Sequence, residues 1–481
     1  MLRRTKIVAT LGPATDDPKV LDDLISAGVD VVRINLSHGE HATHAERAEN
    51  LRNRARASGR QVGVLVDLQG PKIRIGRFRD GAVTLTTGDT FILDTGWDIA
   101  SGNQERVGVT YTPLSSDVAR GDTLLLNDGA IELWVDSVEG TEVRCQVVVG
   151  GMLSDNKGLN KKGGGLSAPA LTEKDLADIR FAAEMEADYL AVSFVRSAED
   201  VNKARELLRE SGGQGGIVAK MERAEAMDVM EEIIEASDAI MVARGDLGVE
   251  IGDAELPAVQ KKLISLSRDM NRVVITATQM MESMIENPIP TRAEVFDVAN
   301  AVLDGTDAVM LSGETAVGKF PAKAVAAMDR VCKEAEKQSS ARRSQHRLHT
   351  VFGRIDEAIA MATMYTANHL GVAAIAALTE SGSTPKWMSR ISSGIPIYAL
   401  TDHVATRRKV TLYRGVYPVS FDYEEGVDSR LANQEIIEEL LRRGAIRDGD
   451  LVIITKGDLT GVTGGTNVMK ILRVGEHILP D

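Results

Sequence analysis

The chain has 481 residues, room for about three domains of ordinary size and several separate cores. Its 70 Asp and Glu against 56 Lys and Arg give a formal charge of −14, which argues against a protein whose affinity rests on basic contacts to nucleic-acid phosphates. Hydrophobic residues at 43% and charged residues at 26% are globular values and exclude wholesale disorder or a collagen-like repeat.

The N-terminal segment has Arg3, Arg4 and Lys6, but its apolar run IVATLG is too short for a secretory signal and meets Pro13 at once. No stretch approaches the roughly 18–20 apolar residues of a membrane span. Cys145 and Cys332 stand far apart without CxxC spacing, so they suggest neither a disulfide framework nor a zinc site and are expected as buried small hydrophobes. A soluble cytoplasmic protein is the expectation.

In chain order, eight short runs rich in Val, Ile and Ala read as strands: KIVATLG (6–12), VVRINLS (31–37), VGVLVDL (62–68), YLAVSF (189–194), IVAKM (217–221), AIMVARGD (239–246), VVITATQ (273–279) and AVMLSGE (308–314). Between them lie amphipathic stretches such as AEDVNKARELLRESG and RAEVFDVANAVLDG, ended by the Gly that closes helices. Eight β/α units in series predict an α/β fold, a (β/α)8 TIM barrel whose site lies at the C-terminal strand ends.

The third and fourth runs are about 120 residues apart, too many for one crossover helix. Within that gap AVTLTTGDTFIL, DTLLLNDGAIELWVDSVEG and TEVRCQVVVGG alternate apolar and polar residues and are cut by GD, DG and EG turns. They predict a small β-barrel lid over residues 71–168, inserted between barrel parts 1–70 and 169–343. Gly70-Pro71 and Gly163-Gly164-Gly165 supply its hinges, and Thr172 to Asp175 has the pattern of a capping box. FPAKAVAAMDRVCKEAEKQ then reads as a last barrel helix and SSARRSQHR as a polar break. Residues 344–481 predict a C-terminal open α/β domain: a helix at DEAIAMATMYTANHL, strands at AAIAALTESG, PIYALTD, VYPVSF, DLVIITKGD and VMKILRV, and two further helices.

Alternate residues of a strand share a face. Arg33, Asn35 and Ser37 therefore point together, as do Lys220 with Glu222, Arg244 with Asp246, Thr276 with Thr278, and Ser312 with Glu314, while Asp67 and Ser193 end their own strands. Singly, each is equally a solvated edge or an ion pair; converging on one pole of a barrel they describe a site. Glu222 and Asp246 offer the hard oxygens that Mg²⁺ prefers, and Lys220 and Arg33 offer positive charge, which suits an anionic, phosphorylated, metal-bound substrate. GETAVGK (313–319) imitates a phosphate loop, but Phe320 stands where a Ser or Thr is needed. His38, His41 and His44 suggest a metal cluster, yet they open a polar helix, and His41 and His44 read as surface residues.

The stretches TKIVATLGPA, VVRINLSHG, DLQGPKIRIG, IVAKMERAEA, MVARGDLGVEI, VVITATQMMESM and PTRAEVFDVANAVLDGTDAVMLSGETAVG, with the later TESG loop, resemble the pyruvate kinase family in content and order over essentially the whole chain. The resemblance implies transfer of the phosphoryl group of phosphoenolpyruvate to ADP, giving pyruvate and ATP, by a homotetramer that uses Mg²⁺ or Mn²⁺; the acidic balance and the lack of a long apolar stretch speak against nucleic acid and membrane as partners. It implies metal binding by Glu222 and Asp246, catalytic roles for Lys220, Arg33 and Thr278, and capture of the substrate carboxylate by backbone donors of Ala243, Arg244, Gly245 and Asp246. Asn35, Ser37, His38, Arg74 and Lys157 match positions around the nucleotide.

Many family members read Asp-Thr-Lys-Gly-Pro-Glu and use K⁺ where this chain reads Asp67-Leu68-Gln69-Gly70-Pro71-Lys72. A Thr ligand has become Leu68 and a Glu has become Lys72, so the Lys72 ammonium, near Asp67, is expected to replace the monovalent cation, with K⁺ not required. The loop Thr379-Glu380-Ser381-Gly382-Ser383-Thr384 precedes a helix and matches the family's activator segment, with 456–467 as its partner loop. The implied effector is a sugar phosphate or a nucleoside monophosphate. Two other readings compete, another phosphoenolpyruvate or pyruvate barrel and a non-enzymatic sensor. A phosphohistidine dikinase needs domains this chain lacks and a metal aldolase lacks the lid, whereas a metabolite sensor would have lost Lys220, Glu222 or Asp246.

Overall fold

The computed structural model describes residues 2–341, 351–422, 429–457 and 464–476. Eight parallel strands close a barrel in chain order: Lys6–Thr10, Val31–Asn35, Gly63–Asp67, Tyr189–Val192, Gly216–Met221, Ala239–Ala243, Val273–Ala277 and Ala308–Leu311, the last pairing with the first. Strand alternation divides their side chains between two cores. Ile7, Val32, Val64, Leu190 and Val274 pack outward with helix residues such as Leu24, Leu51, Ile233 and Val302. Val8, Leu65, Ala191, Met241, Ile275 and Met310 fill the interior.

That interior core is continuous with the C-terminal domain through Met364, Ile375, Val410 and Ile453. The buried Arg390 pairs with Asp307, just before the strand Ala308–Leu311. Arg408 Nε lies 2.9 Å from Asp188, and Tyr189 Oη donates to the Lys409 carbonyl at 2.7 Å. The C-terminal domain thus closes the N-terminal mouth of the barrel and leaves the opposite pole for chemistry. Its sheet runs in the order Val416–Ser420, Ile397–Thr401, Ala374–Leu378, Leu451–Gly457, Thr466–Arg473, with the last strand antiparallel. Among the described residues, three α-helices rather than two follow the helix Ile355–Leu370: Ser383–Ser389, Val404–Lys409 and Ser429–Arg442.

The inserted segment has its own core of Ile75, Phe91, Leu124, Leu133, Val143, Leu153 and Leu166. A six-stranded sheet and the ribbon Ala82–Leu85 with Gly151–Ser154 wrap that core, and bridges at Arg74 with Gly158 and Ile75 with Val109 tie the entering chain to it. Gly163, Gly164 and Gly165 all have positive φ (79°, 79° and 94°), a run that favours glycine. The helix Glu173–Glu184 begins with the Thr172–Asp175 capping box. Cys145 and Cys332 are both buried and free.

Candidate functional site

The polar pole forms where interior positions pass from aliphatic to charged at the strand ends. Asp67, wholly buried, accepts from Arg33 Nε at 2.6 Å and lies 3.3 Å from Lys220 Nζ. Arg33 also reaches Thr10 Oγ1 at 3.3 Å, and Thr10 in turn donates to the Leu311 carbonyl at 2.9 Å. Lys220 Nζ donates to Ser193 Oγ at 2.6 Å and stands 2.9 Å from Glu222 Oε1. Phe194, with φ +55°, offers its amide to Glu222 Oε2 at 2.8 Å. Five strands therefore contribute to one hydrogen-bonded network.

Its electrostatics are uneven. Burial would raise the Asp67 carboxyl, but Lys220 and Arg33 hold it below the ordinary range. Burial works against the Lys220 charge too, and Asp67 and Glu222 overcome it, so the ammonium stays protonated. Glu222 is pushed up by burial; Lys220 opposes that, and the neighbouring Asp246 carboxylate adds to it. The buried Glu222 and the half-buried Asp246, carboxylates close enough to repel, are both hard oxygen donors and could hold a divalent cation.

The structure corrects three of the shared-face readings. The strand ends at Ala243 and the helix Arg244–Ile251 follows without a loop, so Asp246 sits in a first helical turn rather than on a strand face with Arg244. The Arg244 side chain turns away to a bidentate pair with Asp297 at 2.6 and 2.7 Å, leaving backbone amides at the pole. Thr276 is buried on Thr306 Oγ1, whereas Thr278 lies past its strand end with φ +66° and accepts from the Gly245 amide at 2.9 Å. Glu314 likewise lies past its strand. Buried after the strand end at Leu311, it accepts the Met281 and Ser312 amides.

The inserted segment meets the barrel over this pole. Lys72, half-buried, lines a cleft with Asp128, Asn160, Phe194, Arg223, Asp246 and Glu250. It forms no ion pair among the described residues. The chain leaving the inserted segment is held against the barrel: Gly163 N donates to the Glu250 carbonyl at 3.0 Å, and Arg223 Nη2 donates to the Leu166 carbonyl at 2.8 Å. Arg74 Nη1 reaches the Asn156 carbonyl at 2.8 Å, and the adjacent Lys157 accepts the Ile75 amide through its carbonyl at 2.9 Å.

Asn35 Oδ1 accepts the Ser37 amide at 3.2 Å, and His38 is exposed beside them. His44 is not a surface residue. It is 3% exposed, its imidazole donates to the His38 carbonyl at 2.7 Å, and burial lowers its pKa. His41 is exposed but stacked on Phe181 and paired with Asp178 at 2.7 Å.

In the C-terminal domain, Thr379, Glu380, Ser381, Ser383 and Thr384 line a pocket with Gly464, Gly465 and Thr466. Gly382, φ +79°, makes the turn between them and donates to Thr379 Oγ1 at 3.0 Å. Thr384 and Thr466 hydroxyls meet at 2.7 Å. Positions 458–463 of the expected partner loop lie outside the described residues.

Sequence reasoning missed Thr10, the Phe194 amide and Asp297. Thr10 was accessible in principle, since it ends KIVAT in phase with Val8. The other two depend on a left-handed residue and on a contact across 53 positions, which no local pattern encodes.

Comparison with known proteins places residues 2–325 on the family model for the pyruvate kinase barrel domain and 357–472 on that for the pyruvate kinase alpha/beta domain. The chain is 56% identical over 477 residues to pyruvate kinase II of Salmonella typhimurium, covering 98% of this chain and 99% of that protein. It is 55% identical to the pyruvate kinase of Haemophilus influenzae over the same shares, and 43% identical to that of Mycobacterium tuberculosis over 99% of each.

Proposed function

Since the chain belongs to the pyruvate kinase family and is a phosphotransferase, we propose that it moves the phosphoryl group of phosphoenolpyruvate to ADP at the C-terminal pole of its barrel. The observation behind this reading is the network in which Asp67 holds Arg33 and Lys220 side by side. Two cations so fixed bind the substrate phosphate without reorganising, and Lys220 stays beside the group as charge spreads over its oxygens. Mg²⁺ or Mn²⁺ held by Glu222 and Asp246 supplies further charge neutralisation when bound.

Backbone amides from Ala243 to Asp246, at the start of the helix Arg244–Ile251, suit the substrate carboxylate. Transfer leaves an enolate whose terminal carbon needs a proton. The Thr278 hydroxyl, held by the Ala277 carbonyl at 2.6 Å and the Gly245 amide, is the group positioned to relay one through water. ADP lies toward Asn35, Ser37, His38, Arg74 and Lys157, and the docked lid excludes water that would hydrolyse the phosphoryl group.

Lys72 occupies the monovalent-cation role, so K⁺ is not required; its place in the cleft beside Asp246 supports this. The hydroxyl-lined pocket at Thr379–Thr384 takes a phosphorylated activator, a sugar phosphate or a nucleoside monophosphate. Exposed Ile289, Phe296 and Val317 (71%, 70% and 62%) support self-association, in a homotetramer. Among the described residues no helix is long and apolar enough to cross a membrane, in keeping with a cytoplasmic enzyme.

A lactate-dehydrogenase-coupled assay tests the proposal. The enzyme with phosphoenolpyruvate, ADP and Mg²⁺ yields pyruvate, and Lys220→Met, folded by circular dichroism, loses about a thousandfold in kcat. No pyruvate from the parent protein rejects it.

A further inference from the structure

The turn Leu36–Gly39, which follows the strand Val31–Asn35, exposes two carbonyls toward neighbouring elements, and both are gripped. His44 Nε2 donates to the His38 carbonyl at 2.7 Å. Lys174 Nζ donates to the Leu36 carbonyl at 2.8 Å while its other contact, Asp178 Oδ2, lies 2.5 Å away. Asp178 is 1% exposed and takes His41 on its second oxygen, so the Lys174 ammonium is aimed by a buried carboxylate that is itself fixed. The ring of His41 is stacked on Phe181 of the same helix at 4.1 Å.

Lys174 lies one residue inside the helix Glu173–Glu184, nine residues after the glycine run 163–165. The next residue, Asp175, is wholly buried and accepts the amide of Gly70, in the first hinge, at 3.1 Å. One helical turn therefore grips the loop bearing Ser37 and His38 and also the chain entering the lid. Gly39, with φ +83°, completes the fit: a Cβ there would stand 3.1 Å from His44 Nε2.

We infer that Lys174 is a positioning residue for the nucleotide end of the site, holding the Leu36–Gly39 turn in register with the lid hinge through the Leu36 carbonyl. The inference rests on the assignment of Ser37 and His38 to the nucleotide side. A long side chain with half its surface in water contributes little to global stability. Its loss instead loosens one turn, and the cost falls on the substrate that turn contacts.

The test compares Lys174→Met, Lys174→Arg and Ser37→Ala by steady-state kinetics with ADP and phosphoenolpyruvate varied in turn. The expected result is an ADP KM raised about three- to tenfold in Lys174→Met, with the phosphoenolpyruvate KM within twofold of the parent, and substantial recovery in Lys174→Arg, which keeps a cationic donor. Ser37→Ala is expected to raise the ADP KM as well. If Ser37→Ala does so and Lys174→Met does not, the positioning role is overturned and the nucleotide assignment stands. If neither changes the ADP KM, the assignment itself fails and the inference with it. A Lys174→Met variant that loses kcat and both KM values together, unrescued by Arg, shows a merely structural residue and also overturns it.

Discussion

Replacing Asp67 by Asn keeps shape and one acceptor but removes the negative charge between two cations. Asp67 is wholly buried, with the side chains of Arg33 and Lys220 only 12% and 11% exposed, so solvent screens little of the change. At 2.6 and 3.3 Å and an effective dielectric of about 20, the gross attractions are about 6 and 5 kcal/mol, largely offset by the desolvation of all three groups. Breaking such a buried arrangement costs about 3 kcal/mol net, because Glu222 remains for Lys220 while Arg33 keeps only the amide oxygen and Thr10. The Asp67 pKa is depressed in the folded protein, so its contribution is present above the unfolded value near 3.8 and is lost as pH falls through the lower folded one. The stability gap between parent and Asp67→Asn should hold from pH 5 to pH 8 and narrow below about pH 4. Phosphoenolpyruvate should narrow it too, since its phosphate places negative charge between the same two cations. Chemical denaturation at several pH values, with and without phosphoenolpyruvate, measures all of this. A variant within about 0.5 kcal/mol of the parent at pH 7, or one that gains no more from phosphoenolpyruvate than the parent, refutes the reasoning.

Activity in potassium-free tetramethylammonium buffer should equal that in KCl, and Lys72→Glu should lose at least about tenfold in the former and recover part of it with K⁺; collapse of the parent without K⁺ contradicts the role given to Lys72. Glu250 is raised to about 7 by burial, against the pull of the Ala224 amide and Arg223, so its charge opposes folding increasingly from pH 4.5 to 7 and fully above that range. Glu250→Gln should therefore be more stable than the parent by up to about 3 kcal/mol at pH 8.5, with the difference shrinking toward pH 5; a parent as stable as the variant at pH 8.5 refutes the assignment.

The eight barrel strands and the alternation that sends Arg33, Asp67 and Lys220 inward were legible because strand periodicity is local and the interior of a barrel is apolar except at its pole. Periodicity failed where strands stop. Asp246 and Glu314 lie beyond Ala243 and Leu311, in helical turns, so counting by two placed them on faces that no longer exist. His44 was misread for a related reason: a polar helix gives no sign that one of its residues is folded under the preceding turn onto the His38 carbonyl. The assignment of roles to Lys72 and to the Thr379–Thr384 loop came from resemblance, since neither the charge of a lysine nor a row of hydroxyls specifies what it binds.

Phosphorus NMR of the enzyme with phosphoenolpyruvate, ADP and Mg²⁺ follows the transferred group directly. The predicted result is loss of the phosphoenolpyruvate resonance matched one for one by the γ-phosphate of ATP. Inorganic phosphate in its place, or an unchanged phosphoenolpyruvate signal, would contradict phosphoryl transfer at this site.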